Sequence, residues 1–301
     1  MVAKISFEDQ ITKNKIKSIV LMFSVVVFLI IIGYIVALIF DPSYFFIIMI
    51  ISIVFSLTYT LVSYYNSDKI ALASVRAKPA SSVHHRMFYN AAENMSIASG
   101  MPMPRLYVMQ SNEINAFASG RDPKHAIICM TTGALEKLSK DELEGVIAHE
   151  MSHIANYDIR FMTLTAIMIG MISIIAELFL RSLWFSHNSN DSRGGRVQVF
   201  LILAGVILSI LAPIAAQLIS LAISRKREFL ADATGVKFTR YPRGLSSALK
   251  KIKNEHVSKQ DVHAFNKAVA ALCISNPFKK VSGLFMTHPP IEERIRRLEA
   301  M

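Results

Sequence analysis

The amino-acid sequence predicts an α+β integral membrane protein, with four transmembrane or membrane-embedded helices and a polar core on one side of the bilayer. Three observations carry this. Of the 301 residues, 52% are hydrophobic and only 18% charged, against about 45–50% and about 25% in an average soluble domain. The mean hydropathy is +0.40, and the apolar excess is gathered into four runs rather than spread along the chain. Lys and Arg crowd the polar segments between runs and are missing from the short turn after the first run. With 12 Gly, 10 Pro and 2 Cys, collagen-like, disordered and disulfide-scaffold classes are excluded. Cys129 and Cys273 share no CxxC spacing and read as reduced structural thiols in a compartment facing the cytosol.

The first run, Ser18 to Phe40, contains no charge. At 1.5 Å per residue it covers roughly 34 Å, enough for the hydrocarbon core. Lys13, Lys15 and Lys17 precede it, but the run is too long for a signal sequence and no small-residue cleavage site follows. Asp41-Pro42-Ser43 turns the chain into the second run, Tyr44 to Tyr64, giving a hairpin over 1–65. The third run, Phe161 to Leu180, carries Glu177, read as interfacial beside Arg181. The fourth, Val197 to Ile223, contains Pro213, which should kink it, and Gln217, a candidate for an interhelical hydrogen bond. These two form a second membrane pair over 161–224, as full spans or as amphipathic embedded helices. Trp184 reads as an interface anchor.

Orientation follows from the basic residues. Segment 66–160 holds ten Lys and Arg and 225–301 holds sixteen, so both segments and both termini are expected in the cytoplasm. The net charge of +11 then reflects basic residues facing anionic lipid. No aromatic-interleaved basic patch suggests a nucleic-acid partner.

The chemistry lies on these two segments. Ser139 followed by Glu142 is a capping-box signature that starts a helix. On it, His149 and His153 are four apart and project from one face, so both imidazoles can reach one zinc ion. Glu150 between them lies beside the water as a general base. A catalytic zinc wants a third protein ligand. After the fourth run, Glu228 and Asp232 are again four apart, suited to one ligand plus a carboxylate that accepts the N–H of a ligand histidine.

The markers Asn115-Ala116-Phe117-Ala118 with Gly120, the His149–His153 motif, Ser224-Arg225 through Asp232, and Thr287-His288-Pro289-Pro290 with Arg294 span nearly the whole chain. Through them the sequence resembles the HtpX-like membrane zinc endopeptidases, relatives of the prenyl-protein processing protease. The resemblance implies a compact zinc-protease core with an HExxH helix, a small edge-strand sheet and an ExxxD helix. It implies one zinc on His149, His153 and Glu228, with Glu150 catalytic and Asp232 supporting. It also implies a multi-pass protein of the bacterial cytoplasmic membrane that hydrolyses misfolded or damaged membrane proteins as quality control under stress.

Arg105–Met109 and Glu113–Ser119 read as strands, with Gly120-Arg121-Asp122-Pro123 turning into His125–Met130. In similar proteases the strand holding Asn115, Ala116 and Phe117 is an exposed edge that pairs with an extended substrate. An ordinary hairpin covering the core is the alternative. His288 is implied to approach the zinc and steady the oxyanion; a structural turn histidine is the alternative. His84, His85, His187, His256 and His263 lack ligand spacing, and Glu255 to Cys273 carries no marker. Cobalt or manganese would fit the same ligands. Two other functions compete: a protease cutting inside the membrane, and a non-enzymatic scaffold or transporter with a structural zinc site. A structural site would call for a fourth protein ligand.

Overall fold

A computed structural model of the chain describes residues 7–37, 42–186, 225–255, 272–274 and 289–301. Helix α1 (Phe7–Ala37) and helix α2 (Phe45–Tyr65) pack against each other. Two stretches, Ile11–Tyr34 and Pro42–Tyr65, are long and apolar enough to cross a membrane. Their burial is inverted relative to a soluble helix pair. Ile50, Ile51, Val54, Phe55 and Leu61 are exposed, whereas Ser56, Thr60 and Ser63 face inward, the arrangement favoured where lipid is the solvent. The first helix starts well before the apolar run because its polar turns also dock. Asn14, Ser18, Leu21, Val25 and Leu29 make one buried stripe.

The third run lies within α7 (Asp158–Ser186). Its Phe161, Leu164, Met168 and Ile172 pack on Leu21, Val25 and Leu29 of α1. The fourth run lies outside the described residues.

Helix α3 (Ser67–Ser74), strand β1 (Lys78–Pro79) and helix α4 (Arg86–Ser99) lead into β2 (Arg105–Met109), β3 (Ala116–Ser119) and β4 (Ile127–Thr131). The sheet order is β1-β2-β4-β3, with β2 and β4 parallel and both outer pairs antiparallel. Strand side chains alternate between faces. Leu106, Val108, Ala116, Ala118, Ile128 and Met130 meet α4 and α6 (Lys140–Ala155). Met109, Phe117, Ile127 and Cys129 meet Ala71, Leu72 and Val75 of α3, Met162 and Ala166 of α7, and Leu272 and Cys273. Helix α7 is thus part of the second layer under the sheet.

The β3–β4 turn needs its glycine. Gly120 has φ 138°, and a Cβ there would meet the His125 carbonyl oxygen at 2.4 Å. Strand β3 starts at Ala116 rather than Glu113. The Thr131 hydroxyl, which caps α5 (Thr132–Lys137), also donates to the Glu113 carbonyl and accepts from the Asn115 N–H. Those two residues are therefore held in a turn instead of a ladder.

The capping box forms: Ser139 Oγ accepts from the Glu142 N–H, and Glu142 Oε2 from the Ser139 N–H at 2.8 Å. Against α6 lie α8 (Arg225–Thr239) and α9 (Pro242–Asn254), and α10 (Ile291–Glu299) packs on those two helices. Glycines set these approaches. A Cβ on Gly145 would sit 2.5 Å from the Leu245 nitrogen, and one on Gly235 would sit 3.1 Å from the His149 nitrogen.

Candidate active site

Helix α6 presents His149, Glu150 and His153, all buried. The edge-to-face imidazoles turn their Nε2 atoms toward each other at 3.3 Å. Gly235 lets α8 close on the same turn, and this brings in Glu228. Its Oε2 lies 3.7 Å from His149 Nε2 and its Oε1 3.7 Å from His153 Nε2. Among the described residues, these three side chains form a cluster whose donor atoms lie within 4.8 Å of one another.

A carboxylate stands behind each histidine. His149 Nδ1 lies 2.9 Å from Asp232 Oδ1. The buried Arg294 grips Asp232 with a fork, Nε to Oδ2 at 2.9 Å and Nη2 to Oδ1 at 2.7 Å, and its Nη1 lies 3.4 Å from Glu228 Oε2. His153 Nδ1 lies 3.1 Å from Asp158 Oδ2. Asp158 Oδ1 accepts from Arg227 Nε at 2.8 Å and Asn14 Nδ2 at 2.7 Å. With each Nδ1 turned outward to its carboxylate, both Nε2 atoms face one point beside the Glu228 carboxylate.

That donor set fits zinc. Four tetrahedral ligands at about 2.0–2.1 Å stand about 3.3–3.4 Å apart, close to the 3.3, 3.7 and 3.7 Å seen here. Two nitrogen lone pairs and a buried carboxylate facing one another call for a cation. In the absence of metal a proton serves. Burial opposes charge on His153, but the hydrogen bond to Asp158 and the charges of Glu228, Asp158 and Glu150 outweigh it and raise its pKa to about 9.

The carboxyl of Glu150 is pushed above the usual carboxylate range, first by burial; the two histidines and the Ala118 N–H, which donates to it, work in the other direction. Burial would also raise Asp232, yet Arg294 and His149 hold it well below that range. Two neighbouring acids are thus set apart, one able to carry a proton and one permanently charged.

The residues expected from sequence to form the metal site, His149, Glu150, His153, Glu228 and Asp232, stand together. The substrate strand departs from expectation. It is the sheet edge but is not exposed: Ala116–Ser119 are buried, and the Ala116 carbonyl accepts from the Ile274 N–H at 2.9 Å. Leu272, Cys273 and Ile274, all buried, lie along it. Asn115 precedes the strand, and its Oδ1 accepts from the Ala116 N–H. Phe117 is turned to the sheet face away from α6 by simple alternation. His288 lies outside the described residues. Sequence reasoning missed Asp158, Asn14 and the role of Arg294. Asn14 was legible only as a polar position on the stripe with Ser18.

Residues 83–301 match the profile of peptidase family M48. The chain is 48% identical over 254 residues to the Protease HtpX homolog of Caldanaerobacter subterraneus subsp. tengcongensis, covering 82% of this chain and 83% of that one. It is 40% identical over 297 residues to the Protease HtpX homolog of Dictyoglomus thermophilum, covering 98% and 95%. A crystal structure of S. mikatae Ste24p superposes with a TM-score of 0.45 at 20% identity; the match covers 95% of this chain and 65% of that one.

Proposed function

The chain belongs to peptidase family M48 and is a membrane metalloprotease, and from that premise we propose a zinc-dependent endopeptidase that cuts misfolded or damaged membrane proteins at cytoplasmic sites. The observation that carries the reading is the convergence of His149, His153 and Glu228 beside Glu150. Those three residues would hold the zinc. When bound, zinc polarises the scissile carbonyl and makes water acidic enough to be deprotonated near pH 7.

The rest is done by the chain. Glu150, with a carboxyl raised by burial, accepts a proton from the attacking water and passes it to the leaving amine. Asp232 and Asp158 hold each ligand histidine in the Nδ1–H tautomer. An extended substrate would take over the Ala116 carbonyl from Ile274, by main-chain pairing with little demand on sequence. His288 would steady the oxyanion.

The ten Lys and Arg in 66–160 and sixteen in 225–301 support a cytoplasmic catalytic unit and a four-span arrangement in a bacterial cytoplasmic membrane. The quality-control role rests on the resemblance to the HtpX group. Purified protein is tested against Glu150→Gln for bound metal and for cleavage of a model membrane protein. The variant should keep its zinc and lose cleavage by at least about a hundredfold, the scale of a general base. Cleavage that persists removes Glu150 from the reaction.

A further inference from the structure

Asn14 sits on the first membrane helix, 144 residues from Asp158, yet its side chain touches the metal site's supporting shell. Its amide donates twice: to the Asn156 carbonyl at 3.0 Å and to Asp158 Oδ1 at 2.7 Å. Asn156 caps the helix of the HExxH motif and Asp158 opens α7, with Tyr157 between them at φ 58°. Asp158 in turn receives the Nδ1–H of His153. Asn14 and Asp158 are both buried, so neither bond is traded for water and both are strong for their type.

Anchoring α1 to the turn would need only the Asn156 carbonyl. The second bond goes to the carboxylate that orients a metal ligand. Arg227, one residue before Glu228, reaches the same oxygen of Asp158 from α8. Three elements therefore meet on one carboxylate: the membrane helix α1, the start of α7 and the helix that delivers Glu228. A neighbouring contact also seats α1 at this spot: the Lys15 ammonium lies 4.5 Å from the Tyr157 ring centroid.

We infer that Asn14 is a positioning residue for the metal centre: seating of the first membrane helix sets, through Asp158, the orientation of His153. This rests on the zinc-site reading above. The chain reaction to a lost Asn14 is specific. Asp158 would keep Arg227 and could rotate toward it, and His153 would lose the partner that fixes its ring. Substitution of groups supporting a ligand histidine typically lowers metal affinity 10–100-fold; one bond further out, about threefold to tenfold is expected here.

The test uses the full chain in detergent or nanodiscs, loaded with zinc alone, with affinity read by chelator competition and the absorption bands of the cobalt-substituted protein as a second signal. Wild type is compared with Asn14→Ala, Asn14→Ser, Asp158→Asn and the double variant Asn14→Ala/Asp158→Asn. Asn14→Ala should weaken zinc binding about threefold to tenfold and shift the cobalt bands. In the Asp158→Asn background it should add nothing. Ser24→Ala, which removes a hydroxyl from the exposed face of α1, should leave zinc affinity unchanged. If Asn14→Ala fails to fold, Asn14→Ser carries the comparison. Zinc affinity unchanged in the Asn14 variants, or losses that add to those of Asp158→Asn, would overturn the inference and leave Asn14 a plain helix anchor. Wild type that holds no zinc would overturn the zinc-site reading, and the inference with it.

Discussion

Replacing Arg294 with Met should destabilise the protein more than an ordinary core substitution. Arg294 is 1% exposed and its guanidinium holds Asp232 by two bonds of 2.9 and 2.7 Å, with Glu228 Oε2 3.4 Å away. Methionine fills much of the volume but takes the guanidinium away from both carboxylates. Removing one side of a buried ion pair costs about 3–5 kcal/mol, a large part of a total stability of about 5–15 kcal/mol. Burial depresses the charged form of Arg294, but Asp232 and then Glu228 and Glu150 more than restore it, so the cation is present at every working pH. The measurement is the denaturant midpoint of metal-free protein by circular dichroism, for wild type, Arg294→Met, Asp232→Asn and the double variant. Neutralising Asp232 removes most of what Arg294 compensates, so the two losses should fall short of additive by about 0.5–3 kcal/mol. A cost below about 1 kcal/mol for Arg294→Met, or an equal cost in both backgrounds, would refute the proposed network.

Other outcomes follow from the same geometry. Gly145→Ala puts a Cβ 2.5 Å from the Leu245 nitrogen and 2.9 Å from the Gly244 carbonyl carbon; thermal melts should show a loss of about 1–3 kcal/mol, because backbone must move. Gly235→Ala meets the His149 nitrogen at 3.1 Å, so its melt should change less, while displacement of α8 carries Glu228 away and lowers zinc affinity. Zinc must displace the proton that His153 keeps up to about pH 9, so apparent affinity should climb from pH 7 to 9, up to about tenfold per unit, and then level. A flat profile in chelator competition contradicts this. In the metal-free protein the same proton stabilises the fold fully below about pH 6.5, and that contribution fades as the pH rises through about 9.

Local signals were the legible ones. Ser139 and Glu142 announce the start of α6, and 3.6-residue periodicity puts His149 and His153 on one face. Glu228 and Asp232 are a pair by spacing, but which of them meets the metal side and which the back of His149 depends on how α8 docks. That docking is set by Gly235, a residue without a side chain to read. Asp158 has the sequence look of an ordinary acid opening a helix; its service to His153 comes from the tight Tyr157 reversal, which no periodicity reports. Arg294 reaches its partners because α10 packs on α9 and α8. The inward turn of Phe117 was open to simple alternation. The covering of β3 by Leu272, Cys273 and Ile274 was not, since those residues carry no motif and arrive from far along the chain.

Helix α7 belongs to both halves of the molecule, with Phe161, Leu164 and Met168 against α1 and Met162 and Ala166 beneath the sheet. Among the described residues, α7 therefore leaves no seam between the α1 packing and the sheet. Removing α7 together with the N-terminal hairpin would strip the floor from under Phe117, Ile127 and Cys129. An agent that loosens this one helix should therefore act as an inhibitor, although it touches none of the site residues.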